Sequence, residues 1–257
     1  MALLHINYWS APLGKQAALY FILPQGKETE PCRVVYLLHG RSDDYTIWLR
    51  RTSLERYAEA TGLAVALLDG ARSFYTDSFD GVFKYEQHIL ETVNYLDKTF
   101  HTVRSARGRG IGGLSMGGYG AVKLGFKHPD LFGSITAHSS VLDLAGYIKK
   151  HPSPELKAIF GPRSKAGEDP FRLAARVKQI PALYFDCGLD DPLLEDNRRF
   201  ASRLKELGLP HTYREYPGAH TWEYWDRYIQ TALNFHRHTL TGHSSRTALS
   251  KKVPGAV

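Results

Sequence analysis

Residues 111–120 read Ile-Gly-Gly-Leu-Ser-Met-Gly-Gly-Tyr-Gly, which sets Ser115 in a Gly-x-Ser-x-Gly frame between an apolar, strand-like approach and a helix-compatible segment. A serine held on a sharp strand-to-helix turn leaves no room for side chains at Gly113 and Gly117, which would collide with neighbouring backbone. Gly118 and Gly120 extend that close packing. Short glycine-rich frames also arise by accident, so the surrounding sequence has to supply the strand and the helix.

It supplies a series of them. Apolar runs suited to buried strands alternate with longer helix-period segments, the pattern of an α/β fold with a mainly parallel sheet. Strands are expected near His5–Trp9, Ala18–Leu23, Arg33–Leu38, Leu63–Leu68, Gly110–Leu114, Gly133–Ala137, Ala182–Phe185 and His211–Glu215. Helices are expected near Ser53–Thr61, Lys84–Phe100, Gly117–His128, Leu193–Leu207 and Thr221–His236, with Ile89, Val93 and Leu96 spaced to bury one face. Between Val141 and Arg176 the pattern weakens around Pro152, Pro154, Gly161, Pro162 and Pro170. This reads as a small helical insertion after the sixth strand, either a cap over the site or a passive connection. One domain is expected over 1–240, and the polar, breaker-rich 241–257 is expected to be a disordered tail.

Bulk properties narrow the partners. The 257 residues and 43% hydrophobic content suffice for one sizeable core. A net charge of +7 and a pI near 9.3 raise the question of nucleic acid. The positive residues are dispersed in small clusters, such as Arg50-Arg51, Arg198-Arg199 and Lys251-Lys252, without a basic helix interleaved with aromatics. No nucleic-acid partner is expected. The sequence has neither a run of about eighteen apolar residues nor a leader pattern, so no membrane partner and a cytoplasmic location are expected. Cys32 and Cys187 fall on strands at opposite ends of the sheet and read as free thiols, and no metal cluster is expected.

A serine hydroxyl is a weak nucleophile, so a histidine must take its proton and a buried acid must orient that histidine. After an elbow of this kind the partners follow as acid, then histidine, on loops after late strands. Tyr216-Pro217-Gly218-Ala219-His220 follows the last strand, making His220 the candidate base. His211, His236, His238 and His128 lie on strand or helix positions that suit structural roles. For the acid, Asp186, Asp190 and Asp191 compete; the last two lie on the turn, where either also suits a helix cap. A tetrahedral oxyanion needs two donors, and the N–H groups of Met116 and of Arg41, in the loop after the third strand, are placed for it.

Taken together, these residues resemble the putative-esterase branch of the α/β-hydrolases, which contains tributyrin esterases, S-formylglutathione hydrolases, feruloyl esterases and bacterial mycolyltransferases. The resemblance spans residues 5 to 237. It is carried by Leu37-Leu38-His39-Gly40 with Trp48 downstream, Ser73-Phe74-Tyr75-Thr76-Asp77, Gly113-Leu114-Ser115-Met116-Gly117-Gly118, Cys187-Gly188-x-x-Asp191 and Gly218-Ala219-His220-Thr221-Trp222. It implies an α/β-hydrolase fold, a sheet of about eight strands, no cofactor, and Asp191 as the acid beside Ser115 and His220. It also agrees with Arg41 and Met116 as the oxyanion hole, and it places His39, Gly40, Trp48, Phe74 and Tyr75 at the substrate. Arg41 departs from the smaller or apolar residue expected there.

The resulting expectation is a serine carboxylesterase that cleaves short-chain acyl esters of small molecules through an acyl-enzyme. Hydrolysis of S-formylglutathione, a feruloyl or acetyl-xylan esterase activity, and acyl transfer to an alcohol are rivals on the same triad. A non-catalytic protein of the same fold would need a broken triad. The natural ester stays open, as does assembly into a homo-oligomer.

Overall fold

The computed structural model describes residues 1–26, 29–161, 168–177 and 180–242. Within them lie strands β1 (Ala2–Ser10), β2 (Lys15–Leu23), β3 (Val34–Leu38), β4 (Ala64–Leu68), β5 (Arg109–Leu114), β6 (Ser134–His138), β7 (Ala182–Gly188) and β8 (Thr212–Tyr216). They form one sheet in the order β1-β2-β4-β3-β5-β6-β7-β8. Every pairing from β4 to β8 is parallel, whereas β2 runs antiparallel to both β1 and β4. This is the α/β-hydrolase fold. Strands β3 to β6 are buried along their whole length, because helices cover both faces, and such strands read as unbroken apolar runs. Edge strand β1 instead alternates between exposed and covered residues.

Two helical layers close the sheet. On one face, α1 (Ile47–Arg51), α2 (Leu54–Thr61) and α9 (Trp222–Leu240) pack Trp48, Leu54, Ala58, Ile229 and Leu233 against Leu37, Val65 and Leu67. On the other, α3 (Tyr85–Thr99), α4 (Met116–Lys127) and α8 (Leu194–Glu206) pack Ile89, Val93, Leu96, Val122, Phe200 and Leu204 with Val34, Tyr36 and Leu38. Neighbouring residues of β3 thus serve opposite layers, as the period-2 geometry of a strand requires.

The insertion after β6 is helical: α5 (Leu144–Lys150), α6 (Pro154–Phe160) and α7 (Pro170–Ala174). Two of its prolines are helix starts. Pro154 and Pro170 occupy the first turns of α6 and α7, where the missing N–H costs nothing, while Ser153 and Asp169 accept hydrogen bonds from the N–H groups that follow. Pro162 lies outside the described residues. So does the expected tail from residue 243 onward; α9 itself continues to Leu240.

A buried cation fastens the layers below the site. The Lys123 side chain, on α4, is wholly buried, and its ammonium donates to the Tyr75 carbonyl at 2.6 Å, to Thr76 at 2.9 Å and to Glu86 at 2.8 Å, with Glu168 at 3.1 Å. The loop 73–76 is therefore pinned to α3, α4 and the insertion at one point.

Candidate active site

Ser115 follows β5 directly and makes the turn into α4 with φ 53° and ψ −116°, a conformation that non-glycine residues avoid. Surrounding hydrogen bonds hold it there: its N–H donates to the His138 carbonyl at 2.9 Å, and its carbonyl accepts from Tyr119 at 3.0 Å and from Val141 at 3.3 Å. The two frame glycines are explained by contact. A Cβ on Gly113 would come within 2.6 Å of the Gly117 carbonyl oxygen, and one on Gly117 would strike the carbonyl oxygens of Leu38 and His39.

Three loops bring the polar groups together at the carboxyl ends of the strands. His220 Nε2 lies 3.1 Å from Ser115 Oγ, and His220 Nδ1 lies 2.9 Å from Asp191 Oδ2. With the carboxylate facing Nδ1, the ring proton sits on Nδ1 and the Nε2 lone pair accepts from the serine hydroxyl. Asp191 is buried, which pulls its carboxyl pKa up. The hydrogen bond and charge of His220 and the Leu193 N–H outweigh that effect, so the pKa ends below the ordinary carboxylate value. Asp191 Oδ1 accepts from Leu193 N at 2.8 Å, so one residue both caps the turn before α8 and meets the histidine.

The other two aspartates are directed elsewhere. Asp186 is wholly buried and accepts from His138 Nδ1 at 2.9 Å and from the Tyr224 hydroxyl at 2.8 Å. Asp190 is exposed and ties the turn through its N–H, which donates to the Gly218 carbonyl at 2.9 Å. Of the competing histidines, His236 is buried against Ser134 and Thr136, and His211 bonds the Leu209 carbonyl.

A cleft of about 610 Å³ opens over Ser115 and His220. Its walls include Gly40, Arg41, Asp43, Arg51, Arg72, Leu114, Thr221, Trp222, Glu223 and Trp225. Met116 opens α4, and the first-turn N–H groups of a helix have no acceptor inside it. The Arg41 side chain turns to the insertion, donating to Glu155 of α6 and lying 3.5 Å from the Tyr147 hydroxyl of α5.

Of the five residues expected at the substrate, Gly40 alone lines this cleft, and His39, Trp48, Phe74 and Tyr75 are buried behind it. His39 uses its ring nitrogens on the Gly40 carbonyl and the Gly70 N–H, fixing the loop that carries Arg41. The Trp48 indole donates to the Leu38 carbonyl and packs edge-on against Trp222 at 5.3 Å between ring centroids. The Tyr75 hydroxyl donates to the His39 carbonyl at 2.9 Å, and Phe74 packs on Tyr119 and Phe160. Trp48, Phe74 and Tyr75 are core residues, and the polar atoms of His39, Trp48 and Tyr75 serve the loop backbone rather than a ligand.

Several residues around the site escaped the sequence reading. Trp225 packs edge-on against the His220 ring at 4.9 Å and Trp222 packs on Trp225 at 5.1 Å, so an aromatic stack from α9 steadies the base. The cluster Trp222, Tyr224 and Trp225 right after His220 was the available signal. His138 ends β6, Arg72 precedes the Ser73-Phe74 motif, and Glu155 lies in the insertion; nothing local to these residues marks them. Among the described residues, no three His, Cys, Asp or Glu side chains gather as metal ligands.

A family model described as Putative esterase matches residues 10–236. The chain belongs to that family. An acetyl esterase of Caldicellulosiruptor saccharolyticus is 31% identical over 260 residues, covering 91% of this chain and 98% of the relative. Two solved structures from Staphylococcus aureus are each 31% identical and cover 92% of this chain and 98% of theirs. They are the fluorophosphonate-binding serine hydrolase F, with a TM-score of 0.86, and an S-formylglutathione hydrolase, with a TM-score of 0.84. The protein is accordingly an enzyme of the serine carboxylesterase class.

Proposed function

We propose that the protein hydrolyses small, short-chain acyl esters through an acyl-enzyme on Ser115. The observation that carries this reading is the continuous hydrogen-bond chain from Ser115 Oγ through His220 to the buried Asp191, with the serine on a strained elbow at the floor of an open cleft. In the proposed sequence, Oγ attacks the ester carbonyl as Nε2 of His220 takes its proton. The N–H groups of Arg41 and Met116 receive the oxyanion, and His220 returns the proton to the departing alkoxide. Water then repeats the sequence on the acyl-enzyme. Asp191 holds the tautomer and stabilises the imidazolium, and no cofactor enters.

The wall chemistry supports short acyl groups. Among the described residues, Leu114 is the one aliphatic side chain lining the cleft, beside Trp222 and Trp225, whereas Arg41, Asp43, Arg51, Arg72 and Glu223 are charged. A longer chain gains about 0.8 kcal/mol per methylene only where it is buried in apolar surroundings, and five charged side chains around Leu114, Trp222 and Trp225 leave little such surface. The similarity to a protein named acetyl esterase points the same way. Two unpaired thiols suit a reducing compartment, which supports a cytoplasmic site of action. Among the described residues, no helix is long and apolar enough to cross a membrane.

Initial rates on p-nitrophenyl acetate, butyrate and octanoate, run beside S-formylglutathione, test the reading. Acetate and butyrate should lead; a preference for octanoate would overturn the short-chain assignment. Turnover of S-formylglutathione far above every oxygen ester would make the thioester the substrate.

A further inference from the structure

Two separate segments place cations on the wall of the cleft, and a third brings an anion onto them. Arg41, in the loop after β3, and Arg72, in the loop after β4, both line it beside Ser115 and His220. Their guanidinium groups converge on a single carboxylate, that of Glu155 in the first turn of α6: Arg41 donates from Nη2, and Arg72 donates from Nε and, at 2.9 Å, from Nη2.

The charges do not balance there. Two cations face one anion, and two guanidinium groups carry ten N–H donors against the roughly four lone-pair sites of one carboxylate. Arg41 Nε is buried with no hydrogen-bond partner among the described residues. Of the other charged cleft residues, Asp43 and Glu223 are anions and Arg51 is a cation, and none of them takes part in the hydrogen bonds of the Arg41–Glu155–Arg72 group. The Arg41–Glu155–Arg72 group is also open to exchange, since Arg41, Glu155 and Arg72 are 28%, 30% and 56% exposed. Ion pairs that exposed contribute about 0–1 kcal/mol each, so a ligand carboxylate can share or replace the Glu155 contacts at little cost.

The geometry points to a carboxylate-recognition site formed by Arg41 and Arg72 on the wall of the catalytic cleft, for esters bearing a carboxylate remote from the scissile bond. Glu155 occupies part of that site as an internal competitor. Planar guanidinium pairs are suited to this ligand, because they bind carboxylates through parallel N–H donors. The inference rests on the esterase reading above. It sets which esters the enzyme prefers, and not whether Ser115 is the nucleophile.

The test is a ratio of kcat/KM values for matched substrates measured on one preparation, so the folded fraction cancels. One arm places the carboxylate on the acyl side, comparing the p-nitrophenyl monoester of glutaric acid with p-nitrophenyl valerate. The other places it on the alcohol side, comparing 4-carboxyphenyl butyrate with 4-carbamoylphenyl butyrate. In at least one arm, Glu155→Gln should raise the anionic-to-neutral ratio about three- to fivefold and Arg72→Gln should lower it by a similar factor, the effect of one partly exposed charge-assisted hydrogen bond. Added sodium chloride should lower the wild-type ratio in that same arm. Ratios unchanged within twofold in both variants and both arms, or shifted in the reverse sense, overturn the site while the esterase reading stands. Failure of the wild type to hydrolyse any of the four esters overturns both.

Discussion

Replacing Asp191 with asparagine probes the site most sharply, because its two oxygens have different partners. Oδ1 accepts the Leu193 N–H at 2.8 Å and Oδ2 faces His220 Nδ1 at 2.9 Å. An asparagine that keeps its oxygen on Leu193 presents its NH₂ to Nδ1. The ring then accepts at Nδ1 and carries its proton on Nε2, aimed at Ser115 Oγ, where it cannot take the serine proton. The corresponding exchange in a serine protease lowers kcat about ten-thousandfold, equivalent to about 5.4 kcal/mol of transition-state stabilisation. Flipping the amide restores the tautomer but sets two donors face to face at Leu193, at a cost of about 1–3 kcal/mol, and still lacks the charge that stabilises the imidazolium. We expect Asp191→Asn to lose about 10³- to 10⁴-fold in kcat on p-nitrophenyl acetate, with Tm lowered by no more than about 4 °C, the equivalent of about 1 kcal/mol. Asp190→Asn keeps the N–H that bonds Gly218 and changes only an exposed side chain, so its kcat should stay within about twofold. Wild-type-like turnover in Asp191→Asn, within tenfold, would refute the reasoning, and a collapse in Asp190→Asn alone would move the acid to residue 190.

Two further outcomes follow from buried charge. Lys123→Met removes the cation between Glu86 and Glu168, and because Lys127 still pairs with both, the loss in urea unfolding should be about 3 kcal/mol, at the low end for a broken buried pair; a change below about 1 kcal/mol would contradict the pinning of loop 73–76. Burial lowers the pKa of His88 to about 4 and that of His236 to about 3. Below about pH 6.5 the unfolded chain binds these protons while the folded one does not, so stability should fall between pH 6.5 and 4 by up to about 1.4 kcal/mol per pH unit for each histidine. Urea midpoints that stay flat from pH 7 to 5 would contradict it.

The eight strands among the described residues could be read from the chain, the interior ones because they are covered on both faces and appear as unbroken apolar runs, such as 34–38 and 64–68. The breaker-rich 141–176 was harder, since Pro154 and Pro170 punctuate by starting helices as well as by ending them. The Gly-x-Ser-x-Gly frame singled out Ser115; chain order was enough for His220, which lies within hydrogen-bond distance of it. Chain order left Asp190 and Asp191 open, because adjacent residues on a turn differ only in which way they point. The cleft lining was the least legible part. His39, Trp48, Phe74 and Tyr75 flank the site in sequence, yet each side chain supports the loop from behind, and alternation between cleft and core is a property of the folded turn. Arg72 and Glu155 meet across 83 residues, a distance that local spacing does not encode.

The central claim is that Ser115 is the nucleophile, and covalent labelling tests it most directly. Purified protein treated with a fluorophosphonate and digested for mass spectrometry should carry one adduct, on Ser115, with ester turnover lost in proportion to labelling. Ser115→Ala should neither label nor turn over. An adduct on a different serine, or full turnover surviving in Ser115→Ala, would contradict the account.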